Sequence, residues 1–141
     1  MITFDAHFLK QKDGSFLVEF PDLPGCFTEG KSISESFQNA REALNGWLAA
    51  RLDRDLPITV SKKQKRNHYP IAVDLEIAFT LQLRRMRSQK KMTQNQMAQL
   101  LGVTQQAYSK LENPSKANPT LSTIRKLGKI LEKEPSLQFV G

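Results

Sequence analysis

Gln105 and Gln106 stand side by side directly behind Thr104, with Ser109 and Lys110 one helical turn further on. A glutamine amide presents a donor and an acceptor together, the pattern that matches N6 and N7 of adenine. One such bidentate pair discriminates between bases by about 1–3 kcal/mol. Gln94 opens the preceding helical pattern, where backbone N–H groups and a side-chain amide can hold a phosphate. Residues for covalent or metal chemistry are sparse by comparison. There are two histidines, His7 and His68, and one cysteine, Cys26. That excludes an internal disulfide and a cysteine-built metal site. Asp5, Glu19 and Asp22 form no recognisable metal-binding cluster, and a cysteine behind a glycine reads as a small buried hydrophobe. We expect no enzymatic activity, no metal and no cofactor.

Charge divides the chain. Residues 1–57 carry six Lys+Arg and nine Asp+Glu, a net of −3, whereas residues 58–141 carry fifteen and five, a net of +10. The asymmetry implies two modules with different partners, the basic one a candidate for nucleic acid and the acidic one for a basic protein. The longest apolar run, Trp47–Ala50, is far short of the roughly 20 residues of a membrane span. The opening Met1-Ile2-Thr3-Phe4-Asp5 lacks the regions of a secretory signal, so a cytoplasmic location without membrane attachment is expected.

Positioning these residues requires two kinds of architecture. Ile2–Lys10 alternates with period two, Asp13-Gly14 signals a hairpin, and Phe16–Phe20 alternates again. Pro21–Gly25 is a rigid loop, followed by a brief third strand over Cys26–Gly30. Ser32-x-x-Glu35 fits a capping box opening a helix over 33–53, with an apolar stripe of Ile33, Phe37, Ala40, Leu44, Trp47, Leu48 and Leu52. Residues 54–67 read as a basic linker or loop, and His68–Val73 as a strand that completes the sheet. The boundary falls at 73/74, leaving an N-terminal module, 1–73, of order ββ-β-α-β. It is small enough that oligomerisation is expected.

From Asp74, an N-cap residue, the pattern becomes helical. Helices are predicted from about 75 to 88, from Thr93 (a capping box with Gln96) to Leu101, from the Thr104 cap to 112–113, and from Thr120 to about Leu131. Gly102 supplies the left-handed turn and Pro114 breaks the third helix. Leu137–Val140 alternates weakly and is read as a terminal strand that could pair between copies. The two short helices around Gly102 meet the demands of a helix-turn-helix: small Ala98 at the crossing, and Met97, Val103 and Leu111 sealing the angle. In that unit the later helix enters the major groove with its N-terminal residues at the base edges.

The motif Thr93-Gln94-x-x-Met97-Ala98-x-x-Leu101-Gly102-Val103-Thr104-Gln105-Gln106, with Leu111-Glu112-Asn113 and Pro119-Thr120-Leu121, resembles the Cro/lambda-repressor-like helix-turn-helix family over about residues 77–131. The resemblance implies phosphate contacts from Gln94 and Asn113 and base-reading by Gln105, Gln106 and Ser109. Lys110 lies on the same helix, Thr104 caps it, and Lys116 rides on the following loop. The sequence departs from the family at Tyr108, where an aliphatic residue is usual, and at Pro114, where glycine is frequent. Phe20-Pro21-Asp22-Leu23-Pro24-Gly25-Cys26-Phe27-Thr28-Glu29-Gly30, then Ser32-x-x-Glu35-x-x-x-Asn39-Ala40-Arg41-Glu42-Ala43-Leu44, resembles the HicB antitoxin family over about residues 1–73. That resemblance implies a degraded, partial ribonuclease-H-like α+β domain and a partner, HicA, a small basic ribonuclease toxin that cleaves mRNA. Asp22 and Glu29 are the candidate partner contacts.

The expectation is therefore an α+β chain. Its domain 1–73 would neutralise a HicA-like toxin, and its all-α domain 74–141 would bind double-stranded operator DNA as a homodimer or higher oligomer and repress its own operon. The second reading is a stand-alone helix-turn-helix regulator whose N-terminal domain oligomerises or binds a small ligand. A third is an RNA binder.

Overall fold

The computed structural model describes residues 2–58 and 68–141. The chain is α+β and divides into two compact units, Met1–Ala78 and Phe79–Gly141.

In the first unit, β1 (Thr3–Lys10), β2 (Phe16–Glu19), β3 (Phe27–Gly30) and β4 (His68–Ala72) form one antiparallel sheet in the order β3-β2-β1-β4. The β1–β2 hairpin closes where Gly14 takes φ +88°, a conformation glycine adopts without strain. The Asp13 carboxylate accepts from the Ser15 amide and hydroxyl, which holds its pKa below the usual value. Between β2 and β3 the proline-rich loop folds over Leu23, which is buried, and Gly25 takes φ +90°.

Period-two alternation gives the sheet two faces. Phe4, Ala6, Val18 and Ile71 point to one face and are buried. α1 (Ile33–Asp53) lies on that face, burying Ala40, Leu44, Leu48 and Leu52 at every fourth residue. Fully burying a leucine contributes about 1.5–3 kcal/mol. Asp5, His7, Leu9, Leu17, Glu19, Phe27 and Glu29 project to the opposite face by the strand register. His7 is opposite both Glu19 and His68, and the two imidazoles stack with ring centroids 4.9 Å apart.

Two expectations change in this unit. Ile33 and Phe37 lie on the exposed rim of α1, because the buried row runs through Ser36 and Ala40 instead. Phe37 joins Phe8 and Tyr69 in an aromatic cluster with centroids 4.6–5.5 Å apart. The Ser32 hydroxyl caps α1 by accepting from the Glu35 amide, but Glu35 reaches back to the Lys31 amide rather than to Ser32. The first turn of α1 lies so close to β3 that a Cβ on Gly30 would meet the Ser36 amide nitrogen at 2.6 Å, so only glycine fits there. Residues 59–67 of the expected basic loop lie outside the described residues.

The division between units falls inside α2 (Leu75–Gln89). The second unit continues with α3 (Gln94–Leu101), α4 (Gln105–Leu111) and α5 (Leu121–Leu131). Leu83, Met97, Ala98, Tyr108, Leu127 and Leu131 form its buried core. A Cβ on Gly128 would meet Lys133 O at 2.7 Å, because the chain after α5 folds back over that helix. Leu137–Val140 is not a strand. It has no ladder partner among the described residues, and Phe139 is 95% exposed. Val103, expected to seal the turn, is 40% exposed.

Cys26 is buried, and desolvation pushes its thiol from 9.0 up to about 11. The unfolded thiol ionises first as pH rises, so the native state loses stability between about pH 9 and 11, by at most about 2–3 kcal/mol at 1.36 kcal/mol per pKa unit. Burial and a hydrogen bond to Glu112 also push the Tyr108 hydroxyl up, which acts in the same direction. Urea melts at pH 8 and pH 10.5 check this, and iodoacetamide should modify native Cys26 far more slowly than the unfolded thiol.

Candidate nucleic-acid interface

Three local devices set the helix-turn-helix. The Thr93 hydroxyl accepts from the Gln96 amide at 3.1 Å while Gln96 Oε1 accepts from the Thr93 amide at 2.8 Å, a complete capping box on α3. Gly102 ends that helix at φ +77°, and the Val103 amide returns to the Ala98 carbonyl. The Thr104 hydroxyl then accepts from the Ala107 amide and starts α4. Ala98 and Met97 are buried at the crossing, where a small residue lets the helices approach.

The outcome is one hollow of about 510 Å³ lined by Gln94, Gln105, Gln106, Ser109, Lys110, Asn113 and Lys116. Seven of the eight residues singled out in this half thus come together. Thr104 does not line the hollow; its hydroxyl is spent on the helix cap. Asn113 Oδ1 accepts from the Ser115 amide at 3.0 Å and hydroxyl at 2.8 Å, which shapes the Pro114 loop carrying Lys116 to the hollow's wall. Gln105, Gln106, Ser109 and Lys110 are exposed, so nothing in the core requires their polar groups.

Beneath the hollow lies a buried polar hub to which the sequence motifs assign no role. The Glu112 side chain is 1% exposed and accepts a bidentate pair from Arg87, Nε to Oε2 at 2.7 Å and Nη2 to Oε1 at 2.8 Å. The Tyr108 hydroxyl donates to the same carboxylate, and Gln94 Nε2 donates to it at 3.3 Å. Arg87 Nη1 also bonds Met92 O, and Arg84 Nε bonds Glu112 O. One carboxylate therefore joins α2, α3 and α4 and orients Gln94 at the rim. The unusual Tyr108 is fully buried and uses its hydroxyl here, which explains an aromatic residue at that position. The available signal was spacing: Glu112 falls four residues after Tyr108, on the same helix face.

The two candidate partner contacts lie in the other unit. Glu29 is exposed on β3 in a separate hollow with Asp13, Ser15, Lys31 and Glu35, and Asp22 lies in the loop before Leu23. Among the described residues no group of three or more His, Cys, Asp or Glu could hold a metal ion. No described helix is long and apolar enough to cross a membrane.

A family model for the HicB-like antitoxin of bacterial toxin-antitoxin systems matches residues 4–96. The chain belongs to the HicB-like antitoxin family. A helix-turn-helix family model matches residues 83–138, which span the motif described above. Antitoxin HicB of Escherichia coli (strain K12) is 28% identical over 129 residues, covering 91% of this chain and 92% of that protein. The uncharacterized HTH-type transcriptional regulator RghRB of Bacillus subtilis (strain 168) is 39% identical over 54 residues, 38% of this chain and 39% of that protein. A crystal structure of the Burkholderia pseudomallei antitoxin HicB aligns with a TM-score of 0.46 at 18% identity, covering 70% of this chain and 94% of that one. This HicB-like chain is thus an antitoxin-family protein with a DNA-binding type of helix-turn-helix.

Proposed function

We propose that the chain neutralises a HicA-type mRNA ribonuclease through its N-terminal unit and represses its own operon by binding operator DNA through α3 and α4. The observation that carries the DNA half is the single hollow that gathers two glutamines, two lysines and two further amides on an exposed helix-turn-helix. Amides read base edges, and lysines with the α3 N-terminus hold phosphates. One such module binds weakly, so the reading includes a homodimer on two half-sites about 34 Å apart. The toxin half is supported by family membership and by the net −3 of residues 1–57, a sign complementary to a basic ribonuclease.

Co-expression with a small basic HicA-type toxin, followed by pull-down, tests the first half. Absence of a stable complex leaves the stand-alone regulator. Gel shifts on the upstream DNA test the second, and binding that ignores duplex sequence would favour the RNA reading. Lys110→Ala and Lys116→Ala should each weaken binding to all sequences alike. Each should also flatten the plot of log affinity against log salt by about 0.9 for every phosphate no longer neutralised. An unchanged slope removes that lysine from the phosphate set.

A further inference from the structure

We propose that the sheet face opposite α1 is the docking surface for a cationic protein, an assignment that rests on the antitoxin reading and specifies where the toxin binds. The strand register places the carboxylates of Asp5, Glu19 and Glu29 on this face, and β1 to β4 contribute no lysine or arginine to it. The chain as a whole carries +7, so described strands that bring three carboxylates and no lysine or arginine to one face make a local concentration of opposite sign, with Lys31 after β3 sharing a hollow with Glu29. Phe27 lies on the same face, 66% exposed and opposite Glu19, with Leu17 beside it on the adjoining strand. An exposed aromatic ring flanked by carboxylates has the make-up of an interface anchor with a charged rim.

The charges select the occupant. Carboxylates repel phosphate, which disfavours nucleic acid. A second copy presenting the same face about a two-fold axis would set acidic rows against acidic rows, and like charges across an interface cost several kcal/mol. A basic protein surface gains from the carboxylates and buries Phe27.

The test uses the full chain and a HicA-type toxin that it binds, with association rates measured at low and high salt. Glu19→Lys with Glu29→Lys is expected to slow association by about tenfold or more at low salt, with the gap narrowing at high salt. Phe27→Ser should speed dissociation by about tenfold. Glu42→Lys makes the same kind of charge change on the exposed side of α1 and should leave both rates within about twofold of the unaltered chain. All the changed residues are exposed, and circular dichroism checks that the fold is kept. Face variants that bind like the unaltered chain, or a Glu42→Lys defect as large as theirs, overturn the assignment while leaving the antitoxin reading intact. Loss of self-association on Phe27→Ser, with toxin binding preserved, makes the face a homo-oligomer contact and also overturns it. No complex of the unaltered chain with any HicA-type toxin overturns the antitoxin reading and the surface together.

Discussion

Glu112→Ala is expected to destabilise the second unit by about 3 kcal/mol, the cost of removing the buried acceptor of a charged hydrogen-bond network. The carboxylate accepts from two Arg87 nitrogens and from the buried Tyr108 hydroxyl, so its removal takes the acceptor from three hydrogen bonds at once. A buried donor without an acceptor costs about 1–3 kcal/mol even when neutral. Small domains have total stabilities of only about 5–15 kcal/mol, so the loss is a large share of what this unit has. Urea denaturation followed by circular dichroism should show the helical signal of residues 79–141 melting at markedly lower denaturant. Arg87→Met combined with Glu112→Leu should recover part of that loss, because a buried ion pair replaced by apolar groups is often neutral. A single-variant loss below about 1 kcal/mol would mean that solvent at the exposed side of Arg87 makes up for the lost carboxylate and that the hub adds little stability. DNA affinity should fall with stability, since Gln94 loses the oxygen that orients it.

The second large effect is on specificity rather than stability. Gln105→Ala with Gln106→Ala should lower affinity for the operator by about 1–3 kcal/mol for each bidentate pair removed, on the order of 10- to 100-fold for each. Affinity for unrelated duplex DNA should change little, because phosphate contacts supply most of that binding. Both side chains are exposed at the start of α4, so thermal stability should stay within about 0.5 kcal/mol of the parent. Competition gel shifts with operator and random duplex separate the two quantities. Equal losses on both DNAs would show that the glutamines contact the backbone and do not read bases.

The limits of α1, the caps at Thr93, Thr104 and Thr120 and the turn at Gly102 follow from the residue order alone. Each depends on groups within a few residues of one another: a hydroxyl reaching the amide three residues on, or a glycine free to take positive φ. The helix-turn-helix and most residues of its hollow were legible for the same reason, since the unit is short and its offsets are fixed. The weak alternation of Leu137–Val140 finds no ladder within the single chain, because period two makes a strand only where another strand supplies the partner.

What needed the folded chain is everything that joins distant segments. Glu112 stands in the helix-turn-helix motif without an assigned role until α2 brings Arg87 across 25 residues to meet it. Phe37 reads as core until Phe8 and Tyr69 are seen to hold it at the rim. The acidic sheet face exists only once β3 and β1 flank β2 in register, setting Glu19, Glu29 and Phe27 side by side. Local hydrogen-bond reach and backbone sterics are written in neighbouring residues. The pairing of buried charges and the composition of a face depend on which strands and helices meet, and tertiary packing alone decided that.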